Sequence, residues 1–433
     1  MGHITHLGIR RIYKRYGATQ NMGPVRQTIL ANLTLLVISV LAVILISEIA
    51  LRFTPLRVFL GTNALSDYYQ PDAQIGYTIR ENSSSQYFDF GESGHWVWAN
   101  ELGCLDRPYQ GKLPFMLLVG DSMTWGFTPF EKKWGTLLEQ WTDTRVLKCG
   151  TPGYGTKAEH IKAQRIIRRI GHTPAVLLVG YYTGNDFEES YRFPAMIAIE
   201  GRLVNRVKIV NFSDGRRETM SDEELETSYK QRLQYCGYEP TRSLLDPLRC
   251  WFDHHSILYH LVKKVSLLRN VQARLADDQA ETAPLIPFLT TKYPWVSSAW
   301  THHLQEVQDL ASFAHELNSS LVLVIIPTKE QVYENLRPQG WDYDWEQPNT
   351  ILNATCIATG IHCIDLLPSF RQYTNTTDAE PLYWKIDSHL NIPGNIFAGL
   401  LVSEYLLQNK LVSGEDPEFA LQQIERELEI FRR

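Results

Sequence analysis

Several short apolar runs in this chain stop abruptly at a polar turn, and this pattern constrains its fold more than any other feature. Phe115-Met116-Leu117-Leu118-Val119 ends at Gly120-Asp121-Ser122. Val146-Leu147-Lys148 passes into Cys149-Gly150-Thr151-Pro152-Gly153-Tyr154-Gly155, and the run from Ala175 to Gly180 leads to Thr183-Gly184-Asn185-Asp186. Runs of this length between turn signals read as buried strands. Helical patterns follow them, and strands alternating with helices imply a parallel sheet between helical layers. The pattern predicts strands at 115–119, 145–148, 175–180, 321–326 and 362–365. It predicts helices at 131–142, 157–169, 301–317 and 395–408. Trp134, Leu137, Leu138 and Trp141 repeat at helical spacing and are expected in the core.

In open α/β sheets, ligands bind at the carboxyl ends of the strands, where these polar turns lie. A serine hydroxyl there needs only a base and an oxyanion site to become an acyl-transfer nucleophile. The glycine-rich turn before residue 157 can aim backbone N–H groups at an anion, and Asn185 offers a side-chain amide. A further segment, Asp387-Ser388-His389-Leu390-Asn391, precedes Gly394 and an apolar helix from Ile396 to Leu407. It sets a carboxylate and an imidazole two residues apart, and imidazole titrates near neutrality. Ordinary readings exist for each residue. Gly153 can serve a positive φ, Asn185 an Asx-turn, and Asp387 a helix cap. Asp121 and Asp186 read as partners of neighbouring backbone groups.

Serine, glycine, asparagine and histidine in that order at strand ends resemble the SGNH (GDSL-type) hydrolase superfamily. The resemblance covers residues 113–408, together with the Asn100-Glu101-Leu102-Gly103 lead-in. It implies a three-layer α/β/α flavodoxin-like fold. It also implies Ser122 as nucleophile, His389 as base and Asp387 as the group orienting it. The backbone N–H groups of Ser122 and Gly153 and the side chain of Asn185 would form the oxyanion hole. Thr124 and Gly126 match the rest of the first block. The commonest family pattern has two residues between Asp and His, whereas only Ser388 intervenes here. A subset that includes polysaccharide O-acetylation enzymes uses the shorter spacing. A Ser–His dyad supported by a backbone carbonyl is the alternative arrangement.

The amino terminus bears on compartment. From Gln27 to Ser47 there is no charged residue, and a helix of that length spans about 30 Å, enough for a hydrocarbon core. Arg10, Arg11, Lys14, Arg15 and Arg26 precede it with no acid among them. Such an excess marks the cytoplasmic flank. The expectation is an uncleaved single-pass anchor with a cytoplasmic N-terminus and a periplasmic domain. Ser47 to Arg52 fits a signal-peptidase site poorly. Six cysteines (Cys104, Cys149, Cys236, Cys250, Cys356 and Cys363) suit an oxidising compartment. Cys356 with Cys363 and Cys236 with Cys250 lie close along the chain, and buried free thiols are the other possibility.

No cofactor is implied, and no metal set is read, because His254, His255, His260, His302 and His303 lack convincing companion ligands. A net charge of −6 gives nucleic-acid binding no support. The organisation read from the sequence is a cytoplasmic basic tail (1–26), a transmembrane anchor (27–52), a lead-in (53–112), a hydrolase-like domain (113–415) with an insertion at 187–300, and an amphipathic terminal helix (416–433). The insertion would roof the site, with Tyr191, Phe193 and Trp251 as candidates for a cleft wall or for ordinary packing. Lys329 ends the fourth strand at the same edge and could meet a charged substrate or solvent. The implied activity is ester hydrolysis or O-acyl transfer through an acyl-serine, on acylated envelope carbohydrate or lipid. The competing class is a non-catalytic envelope protein that binds glycans or scaffolds a polysaccharide-modifying assembly.

Overall fold

The structure is a computed structural model. It describes residues 24–54, 68–89, 93–199, 202–210, 213–233, 251–252, 255–259, 261–262, 284–376, 379–385 and 387–432. Arg10, Arg11, Lys14, Arg15, Cys236, Cys250, His254 and His260 lie outside the described residues. The chain divides into two compact units. One comprises Met1–Leu60 with Trp251–Arg269, the other Gly61–Cys250 with Asn270–Arg433.

The first unit contains α1 (Pro24–Arg52), which follows from the uncharged run in the sequence. Its stretch Ala31–Arg52 is long and apolar enough to cross a membrane, and none of its most apolar window is buried against protein.

The second unit begins with two antiparallel hairpins, β1 (Tyr69–Asp72) with β2 (Gly76–Ile79) and β3 (Ser84–Asp89) with β4 (Ser93–Trp98). The central sheet then starts with β5 (Phe115–Gly120), followed by α2 (Ser122–Trp125), α3 (Trp134–Thr142), β6 (Arg145–Lys148), α4 (Thr156–Ile170), β7 (Val176–Tyr182) and α5 (Asp186–Tyr191). Two small hairpins, β8 (Met196–Ile199) with β9 (Arg202–Asn205) and β10 (Val207–Ile209) with β11 (Arg217–Thr219), lead to α6 (Asp222–Leu233). The core resumes with α7 (Pro294–Glu316), β12 (Ser320–Ile326), α8 (Lys329–Val332), α9 (Gln347–Thr359), β13 (His362–Asp365), α10 (Leu367–Thr374) and α11 (Ile392–Gln408), and α12 (Pro417–Arg432) follows.

The five core strands are parallel in the order β13-β12-β7-β5-β6. Read from the other edge and renumbered, this is the flavodoxin-like order 2-1-3-4-5, whose switch point falls between β5 and β7. Alternate residues sort to the two faces as strand geometry requires. Leu118, Leu178 and Val324 pack with Trp134 of α3 and with Phe397 and Leu400 of α11, and Ile424 and Leu428 of α12 close this layer. Leu117, Val179 and Leu323 pack with Ala163 of α4, Leu310 of α7 and Leu352 of α9. The helix expected at 131–142 is a 3₁₀ turn, Phe130–Lys132, followed by α3. The one expected at 301–317 begins earlier, at Pro294, which suits the first turn of a helix because proline lacks the N–H that would go unbonded there.

The lead-in contributes a third apolar cluster, with Tyr68, Tyr77 and Ile79 packed beside Trp125 and Tyr154. Asn100 folds the following turn. Its Oδ1 accepts from the N–H groups of Leu102 and Cys104, and its Nδ2 donates to the Arg107 carbonyl. Disulfides join Cys104 to Cys149 and Cys356 to Cys363.

Candidate active site

The Ser122 turn is shaped by Gly120, whose φ is +153°. A Cβ there would stand 2.8 Å from the Gly180 carbonyl oxygen and 2.1 Å from Thr124 Oγ1. Only glycine lets β5 end this close to β7. Asp121 is the N-cap of α2, its Oδ1 accepting from the Met123 N–H at 2.8 Å. Ser122 is therefore the first residue of a short helix at the sheet's carboxyl edge, and it is 8% exposed.

The imidazole arrives on the loop before α11, 267 residues later. His389 Nε2 lies 2.9 Å from Ser122 Oγ. Its Nδ1 bonds Asp387 Oδ1, and the same oxygen accepts the His389 backbone N–H at 2.7 Å. Asp387 thus closes a small Asx-type loop onto the histidine whose ring it holds. That loop explains how one intervening residue suffices. The Phe127 ring lies against the imidazole, with centroids 3.9 Å apart. Lys329 Nζ donates to the carbonyls of Trp384 at 2.5 Å, Lys385 at 2.9 Å and Asp387 at 3.4 Å. This lysine ties down the histidine loop. Helix capping falls to Asn391 rather than Asp387, because Asn391 Oδ1 accepts the Gly394 N–H at 3.0 Å.

The glycine-rich turn after β6 has Gly153 at φ +78°. A Cβ there would meet Tyr77 Oη at 2.6 Å and Met196 Sδ at 2.7 Å. Tyr77 Oη donates to the Pro152 carbonyl, and Tyr154 Oη donates to the Tyr77 carbonyl at 2.7 Å. Buried Lys162 donates to Thr151 Oγ1 at 2.5 Å and to the Gly103 carbonyl at 3.2 Å. Burial pushes its pKa down to about 7. The lead-in and the insertion therefore both reach this turn, through Tyr77 and Met196.

Asn185 follows β7 and is the N-cap residue of α5, without a side-chain capping bond. Its Nδ2 instead donates to Glu189 Oε1 at 2.9 Å. An amide nitrogen carries two hydrogens, so one bond to Glu189 leaves the second for another acceptor. Burial, and then the charge of Asp121, push the Glu189 carboxyl well above its usual range. Asp121 itself is fully buried, and burial raises its pKa to about 6 against the opposing bond from the Met123 N–H. Its Oδ2 lies 3.1 Å from Ser122 Oγ. The serine proton thus has two acceptors, Asp121 and His389.

The structure brings Ser122, His389 and Asp387 into one hydrogen-bonded line, and places Gly153 and Asn185 after the strands flanking β5. Tyr191 stacks with Phe187 and Trp295 and belongs to packing. Glu189 and Tyr77 were not singled out in the sequence. Glu189 stands four residues after Asn185, the spacing of helical neighbours. Tyr77 carries no local signal, because its partner is 75 residues away. Among the described residues, no group of three or more His, Cys, Asp or Glu could hold a metal ion.

Strand order and helical layers define a three-layer α/β/α domain of flavodoxin-like order, with the polar turns gathered at one sheet edge. No protein-family model matches the sequence. No curated protein matches it either. Similar solved structures include a protein described as lipolytic and of the G-D-S-L family from Desulfitobacterium hafniense DCB-2, 10% identical, with 67% of this chain and 98% of that chain covered at a TM-score of 0.31. The psychrotrophic esterase EstA from Pseudoalteromonas sp. is 8% identical, with 69% and 98% covered at 0.32. The acetyl xylan esterase AlAXEase is 10% identical, with 67% and 100% covered at 0.35.

Proposed function

We propose that the chain is a membrane-tethered serine ester hydrolase or O-acyltransferase working through an acyl-Ser122 intermediate. The observation that carries the reading is the 2.9 Å contact between His389 Nε2 and Ser122 Oγ, with Asp387 on the opposite ring nitrogen. His389 takes the Ser122 proton as Oγ bonds to the ester carbonyl carbon. The negative oxygen then faces the N–H groups of Ser122, Gly153 and Asn185. Fixed donors of this kind contribute roughly 3 kcal/mol each to the transition state. Collapse of the intermediate breaks the ester C–O bond, and His389 returns the proton to the leaving alcohol. A water or a sugar hydroxyl, deprotonated by the same imidazole, then takes the acyl group and restores Ser122. Water gives an esterase or deacetylase, and a sugar hydroxyl gives an O-acyltransferase. The apolar α1 and the short Asp-x-His spacing favour acylated envelope carbohydrate as substrate.

The test is covalent labelling of the full-length protein by a fluorophosphonate. Labelling is expected in the wild type and is lost in Ser122→Ala. His389→Ala is expected to reduce hydrolysis of small aryl acetates by at least 10³-fold, in the range known for loss of a triad base. A folded wild type that neither labels nor cleaves them would favour the glycan-binding or scaffold reading instead.

A further inference from the structure

We propose that the described residues of 251–262 belong to a second membrane-contacting element, fastened to the C-terminal end of α1 and lying at the boundary between lipid headgroups and acyl chains. The proposal rests on reading α1 as a membrane span. Glu48 is the one acid in α1, and it sits in the last turns, where the helix dipole disfavours negative charge. A carboxylate in such a helix needs partners, and Glu48 has three hydrogen-bond donors besides its ion pair with Arg52. It accepts from Ser256 Oγ at 2.8 Å, from the Ile257 N–H at 2.9 Å and from the Leu258 N–H at 3.1 Å.

Those donors are not arbitrary. The described residues of 251–262 are helical except Ser256, where the run breaks. The Ser256 N–H closes onto the Phe252 carbonyl at 2.9 Å, and Ser256 Oγ accepts the Tyr259 N–H at 3.0 Å. Ile257 and Leu258 therefore carry the N–H groups that a helix start leaves without intrahelical partners, and Glu48 takes both. Arg52 completes the joint, donating from Nη2 to the His255 carbonyl at 2.9 Å. One helix of the unit supplies an anion to the new N-terminus and a cation to the carbonyl before the break.

The side chains identify what this element faces. Trp251 is 54% exposed and stacks on His255 with ring centroids 5.1 Å apart. Val262 is 62% exposed, and Phe53, just past α1, is 87% exposed. Exposed tryptophan and aliphatic groups fastened to the end of an apolar span have the composition of a membrane interface. In α1 itself Ile46 and Ile49 are exposed as well. A bilayer covers both without a separate protein partner.

The test is photolabelling of the full-length protein in phosphatidylcholine–phosphatidylglycerol vesicles doped with a diazirine-bearing phospholipid, with labelled peptides located by mass spectrometry. Label is expected on α1 and on the peptide carrying residues 251–262. Glu48→Ala should lower the second signal several-fold and leave the first. Ser256→Ala, which deletes one of the three bonds to Glu48 together with the Tyr259 N–H bond and leaves α1 unaltered, gives the same reading should Glu48→Ala fail to insert. Label on α1 with 251–262 bare overturns the proposal and leaves the membrane span standing. Absence of label from α1 overturns the span and the proposal together. Unchanged labelling of 251–262 in both variants overturns the fastening by Glu48.

Discussion

The chemistry of the proposed site turns on how few atoms hold it. One oxygen, Asp387 Oδ1, accepts both the backbone N–H of His389 and its ring Nδ1. Asp387→Asn can keep an acceptor in place but loses the charge that stabilises an imidazolium. It is expected to lower kcat by on the order of 10²-fold or more. Activity within a few-fold of wild type in aryl acetate assays would mean that Ser122 and His389 act as a dyad. Asp121 gives a second prediction, in stability. Its folded-state pKa, about 6, is above the ordinary 3.8, so the folded protein holds this proton more tightly than the unfolded chain. The stability this contributes is complete below about pH 4 and is lost as pH rises through about 6. Asp121→Asn does not titrate. Relative to wild type it should therefore gain on the order of a few kcal/mol between pH 4 and pH 7.5. Urea midpoints at the two pH values give the comparison, and an unchanged difference would refute the assignment.

At the scale of elements, the sheet was legible because its three central strands, β5, β7 and β12, are runs of mainly apolar residues between turn signals, whereas the edge strands β6 and β13 are four residues of mixed polarity. Burial on both faces, as in β7 and β12, leaves only Ser320, at the start of β12, as a plainly polar residue in those two strands. The Ser122, Asn185 and His389 turns were legible because they lie where such runs stop, or just before an apolar helix. Other elements were not. In α9 the sequence QPNTILNATCIAT mixes Asn and β-branched residues, and few side chains, such as Leu352 and Cys356, mark its buried side. The hairpins β1–β2 and β8–β9 have strands of only four residues, of mixed polarity in all but β8, and their importance lies in distant partners. Tyr77 at the first hairpin fastens the Pro152 carbonyl beside Gly153. Tyr77→Phe removes that bond while keeping the ring. A hydrogen bond of this type contributes about 1 kcal/mol, so kcat is expected to fall roughly five-fold with KM little changed. A KM effect alone would show that the hairpin touches substrate without setting the turn.

For the whole molecule the open quantity is orientation. The uncharged length of α1 is flanked on its N-terminal side by Arg10, Arg11, Lys14, Arg15 and Arg26, and on its C-terminal side by the pair Glu48 and Arg52. Positive charge resists transfer across the membrane, so the basic flank is expected to stay cytoplasmic. The bond between Cys104 and Cys149 supports the same placement, since disulfides persist in oxidising compartments. A reporter that is active only in the periplasm, fused after Arg433 of the full chain in a Gram-negative host, should therefore be active. One that fluoresces only in the cytoplasm should be dark at the same position. Replacing Arg10, Arg11, Lys14 and Arg15 by glutamate should reduce the first signal and raise the second, because it removes most of the charge asymmetry and leaves the apolar length untouched. If the wild-type fusion reports a cytoplasmic C-terminus, the placement of the ester chemistry outside the cytoplasm fails. The Ser122–His389 geometry would then have to be tested against cytoplasmic acyl donors instead.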